Sequence, residues 1–320
     1  WFPPAWAIDG GPASYARQGG VIAYRLDNRK KEKIYKSMAD YLLYAKRYYG
    51  IEFSMFSFNE SDLGIDVLHT PQEHADFIKE FGAYLAGLNL PTRMLLGDNS
   101  DATTFDFILP ALNNPETHKY IGAVSFHSWR GCDDVTLKKW ADAAKEINVL
   151  LLVGEGSTDA AAHGYAEIFN ESTFALYEIN LYTRICAICQ PLSILQWQLT
   201  SDYSLLWGDG IYGSKGPLRP TQRFWNIKQL ALAIPVSSSK KKLNCAAFGN
   251  MVRGEYAVHM VNNGADCEAV ISGIPAEVKE LKVYVTNTKD CMKETAVKVE
   301  NGLVRVHLPA ISFITLLSDK

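Results

Sequence analysis

The sequence predicts an α/β fold of the (β/α)8 TIM-barrel type, followed by a small all-β domain. Five apolar runs of strand length alternate with helical patterns through residues 29–197, which indicates a parallel sheet covered by helices. These runs are apolar throughout, as is typical of strands buried on both faces. After Pro235 the pattern changes to short β-type runs separated by turn residues. A chain of 320 residues is long enough for one large and one small domain.

The predicted strands are the apolar runs themselves. The first is the run IEFSMFSF, and the fourth is the run VLLLV that precedes Gly154. We expect strands over residues 51–58, 92–96, 121–126, 149–153 and 192–196.

Helical spacing of apolar residues predicts the helices between these strands. In the first helix Ile34 and Met38 fall on one face, and Gly50 ends the helix. The second helix begins at Thr70-Pro71, a typical N-cap followed by proline at the first helical position. We expect helices over about 29–49, from 71 onward, and over about 104–112, 133–147 and 165–188.

The number of strands is too small for a whole barrel. A complete barrel of this type has eight strand–helix units in about 250 residues. The sequence has five strands and one leading helix, so we expect it to cover about strands 4–8 and to begin, at Trp1, just after the third strand. Either the sequence is a fragment, or a separate chain or segment supplies the missing strands, because a bare parallel edge favours aggregation.

The C-terminal part carries seven short β-type runs. Asn263-Gly264 and Asn301-Gly302 are turn signals between them, and a polar link at 237–242 precedes them. We predict a partial barrel domain over residues 1–235 and a β-sandwich domain over residues 236–320.

Composition and spacing argue against several partners. The net charge of −3 argues against nucleic acid, and no apolar run approaches the ~18–20 residues of a membrane span. Cys186 and Cys189 form one CxxC without a second pair or a suitably spaced histidine pair, which argues against zinc. Asp98, Asn99 and Asp101 lack the glycine and the terminal glutamate of a calcium loop. We expect no metal and no cofactor.

Two glutamates follow two of the predicted strands. Glu60 ends the run IEFSMFSFNE, and Glu155 comes directly after Gly154. In a parallel barrel the residues at the strand exits converge on one pocket. Two carboxylates in one pocket are what acid/base and nucleophilic chemistry on a glycosidic bond requires. We therefore predict that both glutamates are catalytic.

The strand exits also carry other polar or aromatic residues, which are Asn59, Asp98, His127, Trp129 and Trp197. All five strand exits carry a polar or aromatic group, which is harder to assign to chance than one such exit, so we expect these side chains to line a shared pocket. For each tryptophan, ordinary core packing is an equally good interpretation.

The order of these residues resembles the retaining glycoside hydrolases with (β/α)8 barrels, clan A. Asn59-Glu60 at the fourth strand and Glu155 at the seventh match the pattern of that clan. Within the clan, three segments are similar to family 30, which includes glucosylceramidase and xylanase relatives. These segments are residues 2–6 (FPPAW), 127–129 (HSW) and 223–225 (RFW).

The resemblance implies an O-glycosyl hydrolase that cleaves β-glycosidic bonds by double displacement without a metal. It implies that Glu60 is the general acid/base and that Glu155 is the nucleophile. It implies that Asn59 hydrogen-bonds the sugar 2-hydroxyl and that His127 contacts the nucleophile or the sugar.

Trp129 and Trp197 are expected to form the floor of the cleft, because the C–H faces of sugars pack on aromatic rings, and Asp98 is expected to bind the substrate. Ser61 stands where relatives commonly have proline, and the polar loop 61–70 is unusual, so the sugar and the linkage stay open. An oligosaccharide, polysaccharide or glycoconjugate substrate and a secreted, periplasmic or lysosomal-type location are expected.

Two other interpretations compete with this one. A dinucleotide-binding turn at residues 153–156 is disfavoured because Thr158-Asp159 occupies the position of the third glycine. The main alternative is a non-catalytic carbohydrate-binding protein on the same fold. Replacing Glu155 by Gln distinguishes the two, because an enzyme loses turnover and still binds sugar, whereas a binding protein is unaffected.

Overall fold

The chain divides into two compact units, one of residues 1–155 with 192–195 and the other of residues 156–191 with 196–320. The computed structural model describes residues 3–10, 23–159, 165–232, 243–250 and 252–318. The predicted boundary between residues 235 and 236 and the polar link at 237–242 lie outside these ranges, so the predicted domain division stays a prediction. Within the described ranges, no helix has the length and apolar character needed to cross a membrane.

The α/β part is organised by a sheet of five strands in chain order. The strands are β1 (Met55–Phe56), β2 (Arg93–Asn99), β3 (Ile121–His127), β4 (Leu150–Gly156) and β5 (Ser193–Gln196). The pairings β1–β2, β2–β3 and β3–β4 are parallel. Sequential parallel strands joined by helices form a barrel segment, so the predicted partial (β/α)8 fold is confirmed.

Seven α-helices are described, and they are α1 (Lys31–Tyr49), α2 (Pro71–Gly87), α3 (Leu109–Leu112), α4 (Pro115–His118), α5 (Asp134–Glu146), α6 (Ser172–Cys189) and α7 (Gln222–Leu230). The predicted start of α2 is confirmed. The Thr70 side chain accepts a hydrogen bond from the Glu73 backbone N–H, and the Glu73 carboxylate accepts one from the Thr70 N–H. Two predicted helices instead begin as 3-10 turns, at Ala102–Ile108 and Ala166–Asn170.

The strand ends differ from the predicted ones in an informative way. The predicted strand 51–58 forms ladder pairs only over Met55–Phe56. The next three strands run further than predicted, so that Asn99, His127 and Glu155 lie within the sheet and not after it. Parallel pairing continues through these polar residues, with register shifts before Asn99 and before His127. Polar residues at a buried strand end are therefore held by backbone hydrogen bonds that an apolar pattern does not reveal.

An aromatic cluster lies behind the end of β1. Phe56 and Phe58 pack on the rings of α2, with Phe58 4.9 Å from Phe77 and Phe56 5.4 Å from Phe81 between centroids. Tyr35 of α1 lies 5.2 Å from Phe81 on the other side. These contacts fix the segment that leads from β1 to Glu60.

The second unit contains α6, α7, a two-stranded ribbon of β6 (Leu206–Trp207) and β7 (Arg219–Pro220), and the predicted β-rich region. All seven runs of that region form strands, which are β8 (Leu243–Asn250), β9 (Glu255–Asn262), β10 (Cys267–Ser272), β11 (Glu280–Thr286), β12 (Lys293–Lys298), β13 (Leu303–Leu308) and β14 (Ser312–Ser318).

These seven strands form two antiparallel sheets. The larger sheet has the order β12-β11-β14-β9-β8, and the smaller pairs β10 with β13. Val304 and Val306 of the smaller sheet share a core with Leu281, Ile314 and Leu316 of the larger one. Two sheets with their apolar faces together are a β-sandwich, as predicted.

Candidate active site

Glu60 lies in a tight turn just beyond β1. Its backbone is left-handed (φ 47°), its N–H donates to the Asp98 carbonyl at 3.1 Å, and its own carbonyl accepts from the Gly64 N–H at 2.7 Å. A non-glycine residue at positive φ is strained and persists only where the surroundings hold it. The turn directs the side chain inward, where the residue is 8% exposed.

Glu155 lies in β4 as the next-to-last strand residue and is 9% exposed. The indole N–H of Trp129 donates to its Oε2 at 3.2 Å, and the Asn59 side chain donates a second hydrogen bond. Burial raises the pKa of Glu155, and the nearby charge of Glu60 raises it further. The positive charge of His127 and the two hydrogen bonds oppose this shift without cancelling it.

His127 is fully buried and joins three carboxylates. Its Nδ1 lies 2.9 Å from Glu60 Oε1 and 3.4 Å from Glu155 Oε2, and its Nε2 lies 3.3 Å from Asp98 Oδ1. Burial alone would lower the pKa of this ring. The hydrogen bonds to Asp98 and Glu60, with the charges of Asp98 and Glu155, raise the pKa of His127 to about 10. A pKa of this size favours the imidazolium at neutral pH, in which each ring nitrogen carries an N–H.

Asp98 is the carboxylate on the far side of the ring. Its backbone is left-handed (φ 63°), and its Oδ1 accepts a hydrogen bond from Ser125 Oγ at 3.0 Å, while Ser57 also donates to the carboxylate. Burial opposes ionisation, but the His127 bond and charge, with the serine bonds, hold the pKa of Asp98 below its ordinary value. Asp98 is thus a buried anion matched to a buried cation.

The two glutamates lie close enough to act on one bond. One ligand atom from each of Glu60, His127 and Glu155 lies within 4.8 Å of the others, so a carboxylate oxygen of Glu60 is at most that far from one of Glu155. Such a triad could also surround a metal ion. The fit is poor, because an ion would have to displace the Nδ1 proton of His127, and the surrounding carboxylates raise the pKa of this ring to about 10.

Solved structures match this chain in fold, whereas no family model and no curated protein matches its sequence. A glycoside hydrolase family 30 endoxylanase from Clostridium papyrosolvens is 17% identical with a TM-score of 0.78, covering 100% of this chain and 78% of that chain. A family 30 subfamily 8 xylanase from Clostridium acetobutylicum is 15% identical with a TM-score of 0.79 and the same coverage. The catalytic domain of a family 30 xylanase C from Talaromyces cellulolyticus is 17% identical with a TM-score of 0.72, covering 100% and 75%.

The fold of this chain is that of the family 30 glycoside hydrolases. The resemblance inferred from the sequence is therefore confirmed at the level of the fold. Within this family 30 fold, the first unit brings together six of the seven predicted site residues, which are Asn59, Glu60, Asp98, His127, Trp129 and Glu155.

The seventh, Trp197, belongs to the second unit. Its N–H donates to the Gly156 carbonyl at 2.8 Å and the residue is 36% exposed, so its predicted sugar contact stays a prediction. Sequence reasoning missed Ser125 and Gly154. Gly154 has no space for a side chain, because a Cβ there would lie 2.3 Å from Asp98 Oδ1 and 2.9 Å from Ser125 Oγ. The glycine directly before Glu155 was the available signal.

Proposed function

We propose that this protein is a retaining glycoside hydrolase that cleaves β-glycosidic bonds by double displacement. The observation that carries the proposal is the pair Glu60 and Glu155, buried, sharing one imidazolium and separated by at most 4.8 Å between their facing oxygens. Retaining enzymes hold their carboxyl groups ~5–5.5 Å apart, and inverting enzymes ~6.5–9.5 Å apart. The short separation favours retention, since it leaves little room for an attacking water between the two groups.

In the proposed reaction Glu60 is the general acid/base and Glu155 the nucleophile. Glu155 attacks the anomeric carbon while Glu60 gives its proton to the leaving oxygen, and Glu60 then takes a proton from the water that cleaves the glycosyl ester. The hydrogen bonds from Trp129 and Asn59 and the charge of His127 support the ionised form of Glu155. Burial acts against that form, so the nucleophile is a carboxylate held by donors in a desolvated site.

Azide separates the two roles. With Glu155→Ala and an activated aryl β-glycoside, we expect azide to restore turnover and to give a glycosyl azide of inverted configuration. With Glu60→Ala, azide should attack the glycosyl ester and give the retained configuration. The opposite pair of products would exchange the two roles.

The substrate class is proposed as an oligosaccharide, polysaccharide or glycoconjugate with β-linkages. The three family 30 structures described above are xylanases, so xylan, xylo-oligosaccharides and aryl β-xylosides are the first substrates to test, with aryl β-glucosides beside them. We also propose a secreted, periplasmic or lysosomal-type location, which fractionation of the producing cells checks.

Proton NMR of a fresh digest tests the function itself. We expect the β-anomer of the product first and the α-anomer only by later mutarotation. Glu60→Gln and Glu155→Gln should each abolish turnover and keep sugar binding, whereas the control Glu146→Gln, on α5, should keep both. Sugar binding without turnover by the unmodified protein would instead support a non-catalytic carbohydrate-binding protein on this fold.

A further inference from the structure

A third carboxylate, that of Asp98, faces the imidazolium from the side opposite the two glutamates. Asp98 was expected to contact sugar, and its Oδ1 instead lies 3.3 Å from His127 Nε2. Ser125 Oγ donates to the same oxygen at 3.0 Å, and Gly154 packs so closely that a Cβ there would lie 2.3 Å from it. The geometry fits a group that acts on His127 and not on the substrate.

Resting on the proposed function, we propose that Asp98 is a positioning residue that keeps His127 doubly protonated, so that the Nδ1–H always points at the catalytic glutamates. A neutral ring would carry one proton. With Asp98 at Nε2, that proton would lie on Nε2, and the Nδ1 lone pair would then face Glu60 and Glu155. Only the imidazolium donates one N–H to Asp98 and the other to whichever glutamate of the pair is ionised.

During double displacement the negative charge of the catalytic pair moves between Glu155 and Glu60, and a doubly protonated His127 can stabilise it at both positions. Before the first step Glu60 is protonated and Glu155 ionised. When Glu155 forms its bond to the anomeric carbon it becomes a neutral ester, and the proton that leaves Glu60 goes to the departing oxygen. One negative charge therefore moves from Glu155 to Glu60, and it returns when water cleaves the ester and Glu60 takes a proton back.

Both positions of that moving charge lie beside one N–H. Nδ1 is 2.9 Å from Glu60 Oε1 and 3.4 Å from Glu155 Oε2, so a small tilt of the ring transfers its hydrogen bond from one glutamate to the other. The charged groups facing His127 are Glu60 from the turn after β1, Asp98 from β2 and Glu155 from β4. The catalytic pair carries one negative charge in both states, and Asp98 adds a second charge that does not move, which holds the Nε2 proton and orients the cation.

Nitrogen-15 NMR of the protein labelled at histidine tests the first half of the inference. In the unmodified protein we expect both His127 nitrogens to be protonated at pH 8, with Glu60→Gln and Glu155→Gln used to assign the signal. This measurement needs no turnover, so failure of the proposed glycosidase activity and failure of this inference are separate results. A neutral His127 at pH 8 in the unmodified protein would overturn the inference.

The variant Asp98→Asn tests the second half. We expect its His127 to titrate at lower pH, the alkaline limb of kcat/KM to move in the same direction, and kcat to fall at least tenfold with KM nearly unchanged. The matched control is Asp101→Asn, a buried carboxylate three residues further on that pairs with Arg130. It should leave the His127 titration and the pH profile as they are.

Two results would contradict the positioning role. One is a rise in KM with an unchanged His127 titration, which would make Asp98 a sugar-binding residue. The other is unchanged kinetics and an unchanged pH profile in a folded Asp98→Asn protein. If that variant does not fold, Asp98→Ser, which also removes the negative charge at this position, should likewise move the His127 titration to lower pH; no shift would count against the role.

Discussion

Gly154 and Asp98 are packed so closely that a Cβ atom on Gly154 would lie 2.3 Å from the Asp98 carboxylate oxygen. The contact joins β4 to β2 across β3 directly beneath the imidazolium. Real Cβ atoms do not approach an oxygen so closely, so any side chain at 154 must displace Asp98 or the strand that carries Glu155.

We therefore expect Gly154→Ala to lower kcat by about a hundredfold, since a displacement of about 1 Å in a catalytic group has that effect. The free energy of unfolding should fall by about 1–3 kcal/mol, as for other overpacked cores. The control Gly87→Ala at the end of α2, where a Cβ meets no atom within 4 Å, should change the free energy of unfolding by less than about 0.5 kcal/mol. Enzyme kinetics measure the change in kcat, and urea unfolding measures the change in the free energy of unfolding. Wild-type kinetics in Gly154→Ala would show that the packing under His127 has no role.

A buried ion pair stabilises the second unit. Arg223 Nη2 lies 2.7 Å from Glu178 Oε1 and Nε lies 2.9 Å from Oε2, while Nη1 donates to the carbonyls of Tyr203 and Ser204. Both charged side chains are at most 1% exposed. We expect Arg223→Met to lower the free energy of unfolding by about 3–5 kcal/mol, because Glu178 keeps a buried charge without its partner.

Urea unfolding followed by tryptophan fluorescence measures this loss. The control is Lys138→Met, which removes an exposed pair with Asp142 and should change little. Equal losses of unfolding free energy in Arg223→Met and Lys138→Met would mean that removing one partner of the buried pair costs no more than removing one partner of an exposed pair.

Gln229 of α7 connects that helix to the larger β-sheet. Its Nε2 donates to the carbonyls of Tyr284 and Phe313 and to Thr315 Oγ1, and its Oε1 accepts from Thr286 Oγ1. Gln229→Leu leaves these four groups without that partner. Each lost hydrogen bond is expected to cost about 1 kcal/mol or less, so the free energy of unfolding should fall by about 2–4 kcal/mol.

The matched control for this variant lies in the same helix. Gln222→Leu, at the first residue of α7, should leave stability near that of the unmodified protein. Hydrogen exchange at β11 and β14 gives a local measurement. Unchanged protection of these strands in Gln229→Leu would contradict the connection.

His74 predicts how stability depends on pH. Burial, and then the nearby charge of His69, lower the pKa of His74 from 6.5 to about 3, and its Nε2 accepts a hydrogen bond from the Gly97 N–H at 3.0 Å. In the unfolded chain His74 binds a proton near pH 6.5, whereas in the folded chain it binds that proton only near pH 3. This contribution to stability is therefore complete above pH 6.5 and declines as the pH falls toward 3, by about 1.4 kcal/mol for each pH unit.

Urea unfolding at pH 7, 5.5 and 4.5 tests this dependence. We expect the free energy of unfolding of His74→Gln, which keeps an acceptor for the Gly97 N–H, to fall less steeply with decreasing pH. The two slopes should differ by about one proton, or about 1.4 kcal/mol for each pH unit. Parallel slopes for the two proteins would mean that His74 is protonated in the folded state.

The elements that could be predicted from the sequence are those set by local patterns. Thr70-Pro71 predicted the start of α2, because helix capping is a local interaction. The seven C-terminal strands were predicted from short apolar runs between turn residues. The end of β1 was predicted wrongly, because the ladder ends at Phe56 and Glu60 lies in a left-handed turn whose N–H donates to the Asp98 carbonyl, which is distant in sequence. A contact of that kind has no local signal.

The same limit applies to the site. Glu60, Glu155 and His127 were predicted from their strand-exit positions, since parallel strands share one edge. The placement of Asp98 against Nε2 depends on a register shift between Gly97 and Asn99 and on the size of Gly154, and neither follows from periodicity. Pairs such as Arg223 with Glu178 likewise depend on tertiary packing.

Covalent trapping tests the central claim most directly. A 2-deoxy-2-fluoro β-glycoside with a good leaving group, in xylo and gluco configurations, should inactivate the protein with one sugar bound per chain. Mass spectrometry of the peptic digest should place that sugar as an ester on Glu155, and Glu155→Gln should not be labelled. A label on Glu60 or on any other residue would contradict the assignment of Glu155 as the nucleophile.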